Sequence, residues 1–303
     1  MTVSVSKNRS LQNRAVLGVS MMLLGLALYP ISDAFLKHLM GTYTIYQTTF
    51  LRALTRLIPL LVAVSLQGQV RQVFVTQRYG LHAIRLCVNL VYTYCFMVTF
   101  SYASLTTIYT LSYTSPFFMI VLSALMLKES VGREKWLAVA AGLVGVLVAM
   151  RPGSGVFEVV ALLILFATFL GALNKILMRR LASTEHSLAI AIYPNIVMIL
   201  AMSPFLITCW QSMPWQDWGF FFIVGLLTAG GQYAIAQSLR FAPASTLAPI
   251  DYSSFFWVVA LDFLWWAKTP DIYTITGAAI IVGSNLYILY RTRREQAVST
   301  AAA

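Results

Sequence analysis

Apolar residues run along this chain in blocks of about twenty, most of them ended by a short connection containing Lys, Arg, Gly or Pro, and strict apolar–polar alternation is rare. A helix needs about 20 mainly apolar residues to cross the hydrocarbon of a bilayer. Ten blocks qualify: residues 15–37, 44–66, 80–101, 105–127, 134–150, 156–178, 187–209, 217–239, 244–266 and 272–290. The pattern predicts an all-α integral membrane protein of ten transmembrane helices, with polar segments 1–14 and 291–303 at its ends. The second, third, sixth and eighth blocks carry more polar side chains than an anchor needs, so they are expected to line an interior.

Composition agrees with the bilayer as solvent. Of 303 residues, 59% are hydrophobic and 10% charged, with mean hydropathy +0.77, whereas soluble domains are about a quarter charged. The net charge of +11 is not gathered into a basic patch with interleaved aromatics, so no nucleic-acid partner is expected. Its placement carries orientation instead. Fourteen of the 21 Lys and Arg fall in the N-terminal segment and every second connection, three in the opposite connections or helix ends, and four inside blocks. Cytoplasmic loops hold the excess of positive charge, so both termini are expected in the cytoplasm.

Little points to chemistry. The first block lacks a small-residue cleavage site and reads as a retained helix. Cys87, Cys95 and Cys209 are odd in number and apolar in context, and read as small core residues. His38, His82 and His186 stand near block ends and read as surface or interfacial. There is no HExxH, GxSxG or Walker glycine loop, so neither an enzyme nor a cofactor or metal is expected. The rival readings are a membrane-embedded enzyme acting on lipid head groups and a scaffold that transports nothing.

The chain also repeats itself. Shifted by 139, residues 102–118 (YASLTTIYTLSYTSPFF) fall over 241–257 (FAPASTLAPIDYSSFFW), pairing Thr107 with Thr246, Tyr113 with Tyr252 and Ser115 with Ser254. At 138, Lys37 meets Lys175 and Gly145 meets Gly283. Five helices per half is an odd number, so residues 15–150 and 151–290 enter the membrane in opposite senses. Inverted repeats of this kind recur in secondary transporters, whose substrate site lies near the midplane between the halves.

These segments, together with LKESVGREKWLAVAAGLVGVLVAMRPG at 127–153 and the arginine of FLRAL at 50–54, resemble the EamA-type members of the drug/metabolite transporter superfamily. The resemblance covers essentially the whole chain. It implies five-plus-five inverted helices, a central cavity lined mainly by the first four helices of each half, and alternating access across a bacterial inner membrane. Relatives of this kind carry amino acids, S-adenosylmethionine, riboflavin and other metabolites, and these are the candidate substrates here. Members often carry a Glu after the ninth helix to match Glu129 after the fourth; this chain has Lys268.

Arg52 and Arg56 lie about 12 and 18 Å along the second helix at 1.5 Å per residue, near the midplane and on one face. An unpaired intramembrane Arg costs about 2.5–3.5 kcal/mol on insertion scales, so both are expected to meet a substrate anion or an acidic partner. Asp33, Asp251 and Asp262 are the acids available within spans. Asp251, two residues after Pro249, is the first choice for coupling or counter-charge. Asp33 is expected to pair locally with Lys37, four residues on. Gly171 stands where a matching acid for Lys175 would be, which leaves Lys175 free for the cytoplasm or an anion. Tyr92, Tyr94, Tyr109, Tyr113, Tyr233, Tyr252 and Trp257 offer rings to a planar ligand; Tyr92, Tyr113, Tyr252 and Trp257 are the expected substrate contacts. Pro116 and Pro249 mark a bend in each half. Ala141 with Gly145, and Ala279 with Gly283, are small residues four apart, suited to packing the halves together or to a homodimer.

Overall fold

A computed structural model describes residues 2–67, 76, 78–126, 131–150, 156–181, 185, 187–241 and 247–301. Among them all regular structure is helical: α1 (Thr2–Leu39), α2 (Ile45–Gln67), α3 (Tyr79–Tyr102), α4 (Leu105–Ser112), α5 (Ser115–Met126), α6 (Arg133–Met150), α7 (Val156–Leu181), α8 (Ser187–Cys209), α9 (Trp215–Phe241), a 3-10 turn (Ala248–Ser253), α10 (Ser254–Trp266) and α11 (Ile272–Ala301). The polar end segments continue α1 and α11. Glu129 and His186 lie outside the described residues.

Among the described residues eight stretches are long and apolar enough to cross a membrane, and the chain is a multi-pass membrane protein. Two of the ten expected spans fall short for definite reasons. The first turn of α6 carries Arg133, Glu134 and Lys135, and the ninth interval is divided between the 3-10 turn and a helix of 13 residues. The fourth is also divided, between α4 and α5, at Tyr113 and Thr114. Both divisions fall beside a proline, Pro116 and Pro249. Asn285 of α11 donates to the Tyr113 carbonyl at 2.8 Å, so the peptide freed by the first division is not left bare in an apolar interior.

Packing is between distant elements. The most extensive pairs are α1 with α9, α6 with α11, α2 with α8 and α3 with α7. A Cβ on Gly277 would stand 2.7 Å from the Gly145 carbonyl oxygen, so α6 and α11 approach backbone to backbone there. Gly145 behaves as expected, but Ala141, Ala279 and Gly283 are exposed; the second small residue of this contact is Gly277, one turn and a half from Gly283.

Two ends of the bundle can be told apart by contacts. At one, Gln47 and Gln211 exchange hydrogen bonds, Nε2 to carbonyl and amide to Oε1, both 2.9 Å, and Tyr43 donates to Asp217; we call it the Lys37 end. At the other, Arg180 donates to the Met126 carbonyl at 2.7 Å and Arg291 pairs with Glu134; this is the Glu185 end. The large buried cluster contains Leu36, Leu51, Met97, Phe100, Ile108 and Phe221 toward the Lys37 end and extends to Val139 on the other side. Smaller separate clusters lie around Ala53 and Met202, around Met22 and Leu247, around Val64 and Ile192, and around Leu122 and Ile176.

Candidate functional site

Asp33 and Arg52 meet in the interior. α1 brings Asp33 inward one turn after Pro30, and α2 brings Arg52, whose Nη2 lies 3.1 Å from Asp33 Oδ1; the side chains are only 7% and 17% exposed. Tyr109 of α4 donates to the other carboxylate oxygen at 2.9 Å, and Arg52 Nη1 stands 3.6 Å from the Met97 sulfur. One acid on α1 is thus held by partners from α2 and α4. The expected local pair with Lys37 does not form. Lys37 donates to the Ala103 carbonyl and lies 5.3 Å from the centre of the Trp266 ring, so tertiary partners outweigh a helix neighbour whose pairing is worth about 0.2–0.5 kcal/mol.

Arg56, one turn along α2, does not join Asp33. Its Nη2 donates to Gln232 Oε1 of α9 at 3.1 Å. Tyr29 and Tyr92 lie near Arg56. Tyr92 leans on Phe96, with ring centres 5.8 Å apart, and its ring edge lies 3.1 Å from where a Cβ on Gly171 would be. The glycine that leaves Lys175 without a neighbouring acid therefore makes room for this ring.

A second polar group lies toward the Glu185 end. Lys175 and Asp251 are both exposed and bear on each other electrostatically without making ion-pair contact; Lys175 Nζ donates to Ser115 Oγ at 3.2 Å. Tyr113 and Tyr252 meet edge to face at 5.3 Å, and the Tyr113 hydroxyl lies 2.7 Å from Ser254 Oγ. Residues matched by the 139-residue shift thus touch across the centre. Trp257 does not join them: it is 36% exposed and its ring partner among the described residues is Phe256. Tyr94 is drawn to Tyr46 instead, and Tyr233 is 65% exposed.

Sequence reasoning missed a buried polar group at the Glu185 end. His82, expected at a surface, is 4% exposed and sits 3.5 Å from Glu185, which also accepts from Thr76 at 2.8 Å. One turn on, Arg85 donates to Asn174 Oδ1 at 3.2 Å and to the Ile190 carbonyl at 2.9 Å. An Arg and an Asn inside apolar blocks were the available signal. Cys87 is likewise exposed, not a core residue.

The sequence profile of the EamA-like transporter family matches this chain twice, over residues 16–151 and 159–290. Over 240 residues it is 28% identical to a riboflavin transporter of Vibrio cholerae, covering 76% of this chain and 79% of that protein. It is 22% identical to an S-adenosylmethionine uptake transporter of Rickettsia prowazekii, covering 91% and 94%, and 23% identical to a pseudopaline exporter of Pseudomonas aeruginosa, covering 88% and 93%. A solved crystal structure at 15% identity shares the fold, with a TM-score of 0.60 over 93% of this chain and 98% of its own. With its two matched segments spanning nearly all of its length, the chain belongs to the EamA-like transporter family.

Proposed function

We propose that the protein is a secondary transporter that moves a small organic metabolite across a bacterial inner membrane by alternating access. The reading takes all ten intervals as spans, in two five-helix repeats of opposite sense, residues 15–150 and 151–290, with the tails 1–14 and 291–303 in the cytoplasm. The double family match supports the repeat. So does the packing: exchanging the first five intervals with the second five turns α1–α9 into α7–α3 and leaves α2–α8 and α6–α11 unchanged. On this reading the Glu185 end is cytoplasmic and the Lys37 end periplasmic. The contacts at the Lys37 end, Gln47 with Gln211 and Tyr43 with Asp217, fit a conformation closed on that side.

The observation that carries the substrate site is the Asp33–Arg52–Tyr109 network near mid-membrane. Asp33 fills the place on Arg52 that a substrate carboxylate or phosphate would take. An arriving anion displaces it, and the released Asp33 then takes a proton or a cationic group of the substrate. Lys175 and Asp251 offer a second pair of opposite charges, and the Tyr113–Tyr252 rings a planar surface. S-adenosylmethionine, riboflavin and amino acids are the candidates. The relatives include both uptake and export proteins by name, and one rocking carrier serves either direction according to the gradients, without ATP hydrolysis.

A melting-temperature screen of the purified protein against these compounds tests the reading. A ligand that binds only the folded state at 100 times its Kd adds about 2.7 kcal/mol. The response should vanish in Asp33→Asn/Arg52→Gln, which removes both charges together. If the response persists unchanged in that variant, Arg52 is not the anchor. The scaffold alternative predicts altered stability in the variant and no ligand response in either protein.

A further inference from the structure

The turn between α3 and α4 is gripped from both sides at the Lys37 end. Asp262 of α10 is 1% exposed and accepts from the amides of Leu105 at 3.1 Å and Thr106 at 2.7 Å, and from the Thr106 hydroxyl at 2.7 Å. The Ser104 side chain accepts from the Thr107 amide at 3.1 Å. The first three amides of α4, which no helix can satisfy internally, are thus all occupied, two by a carboxylate from the other half of the chain. On the far side of the turn, Lys37 of α1 takes the Ala103 carbonyl and lies against Trp266 of α10. Lys37 and Asp262 do not touch, but the Asp262 charge reaches Lys37. The turn's own donors and acceptor lie between them.

From this geometry we infer that Asp262 and Lys37 form the outer gate of the transporter, a clasp that holds α4 of the first repeat to α10 of the second and must open for the cavity to face the Lys37 side. This deepens the alternating-access reading and rests on it. Two features support the assignment. The clasp joins the two divided spans, each divided next to the central site, at Tyr113–Thr114 and at the 3-10 turn. A cleft of about 170 Å³, lined in part by Ser104, Thr106, Thr107, Lys268 and Thr274, reaches Asp262 from outside the bundle.

Thr110 provides a reporter. It lies one turn below Thr106 on the same face of α4, is 0% exposed, and its hydroxyl has no partner. With Cys87, Cys95 and Cys209 replaced by Ala, Thr110→Cys in the full-length protein is treated with a membrane-impermeant maleimide from each side of oriented membrane vesicles. The unmodified clasp should give slow labelling from the Lys37 side. Asp262→Asn, Thr106→Val and Lys37→Gln should each raise that rate, about tenfold for Asp262→Asn, while labelling from the Glu185 side stays level or falls. Thr106→Val loses one hydroxyl bond and keeps the backbone contacts, so it guards against misfolding of the other two. Unchanged labelling in the folded variants, or an equal rise from both sides, overturns the gate. No substrate enters this experiment, so it separates failure of the gate from failure of the transport reading, which shows as absence of any ligand response.

Discussion

Arg52 repays its place in the membrane by pairing, and its removal should be costly in a diagnostic way. Breaking a buried pair from one side leaves a charge without compensation, at about 3–5 kcal/mol, whereas removing both charges together is often close to neutral. Arg52→Ala should therefore lower the unfolding free energy by about 3–5 kcal/mol, and Asp33→Asn/Arg52→Gln by much less, in a double-mutant cycle followed by denaturation in detergent. Tyr43 offers a test outside the spans. Burial first, then its bond to the Asp217 carboxylate, pushes its hydroxyl up to about 12. A group raised in the folded state contributes fully below its ordinary value and loses that contribution as pH climbs through the raised one. The stability difference between the protein and Tyr43→Phe should thus stay flat from pH 6 to 9 and shrink between about 10 and 12, measured by melting at each pH. At this scale the sequence disclosed which groups are expensive, since any charge within an apolar block must be answered. It did not disclose the answers: Asp33 chose a residue 19 positions away over one four away, a choice made by α2 and α4 arriving together.

Helices were legible because their period and length are local properties, and so were the two divided ones, since proline removes a donor wherever it stands. What repairs a division is not local. Asn285 lies 172 positions from the carbonyl it satisfies. Asn285→Leu should leave that carbonyl without its partner and cost about 1–3 kcal/mol, seen as a lower melting temperature with the helical circular dichroism intact. Small residues mislead for a related reason: spacing of four exists on every face of a helix, and only the neighbour decides which face is pressed. Gly225 shows the pressed kind, since an added Cβ would stand 2.8 Å from the Thr55 carbonyl oxygen of α2. Gly225→Ala should destabilise by about 1–3 kcal/mol, while Gly283→Ala, with nothing within 4 Å, should leave melting unchanged.

For the molecule as a whole, the four most extensive helix pairs map onto one another when the two halves are exchanged, yet its two ends are fastened by different chemistry. The 139-residue shift lays Ser123 where Asp262 stands, so the carboxylate that caps α4 has only a neutral hydroxyl as its counterpart at the Glu185 end. A carrier with unequal fastenings spends unequal time facing its two solutions when empty. Apparent affinity is the intrinsic value diluted by the fraction of molecules ready to bind. If about one empty carrier in a hundred faces outward, substrate offered from outside must be about a hundredfold more concentrated to half-saturate it than the intrinsic value requires. Half-saturation measured from each face of oriented vesicles should differ accordingly, lower from the Glu185 side, and Asp262→Asn should bring the two values together. A single acid in the second repeat would then set the concentration range, on each side of the membrane, in which this protein works.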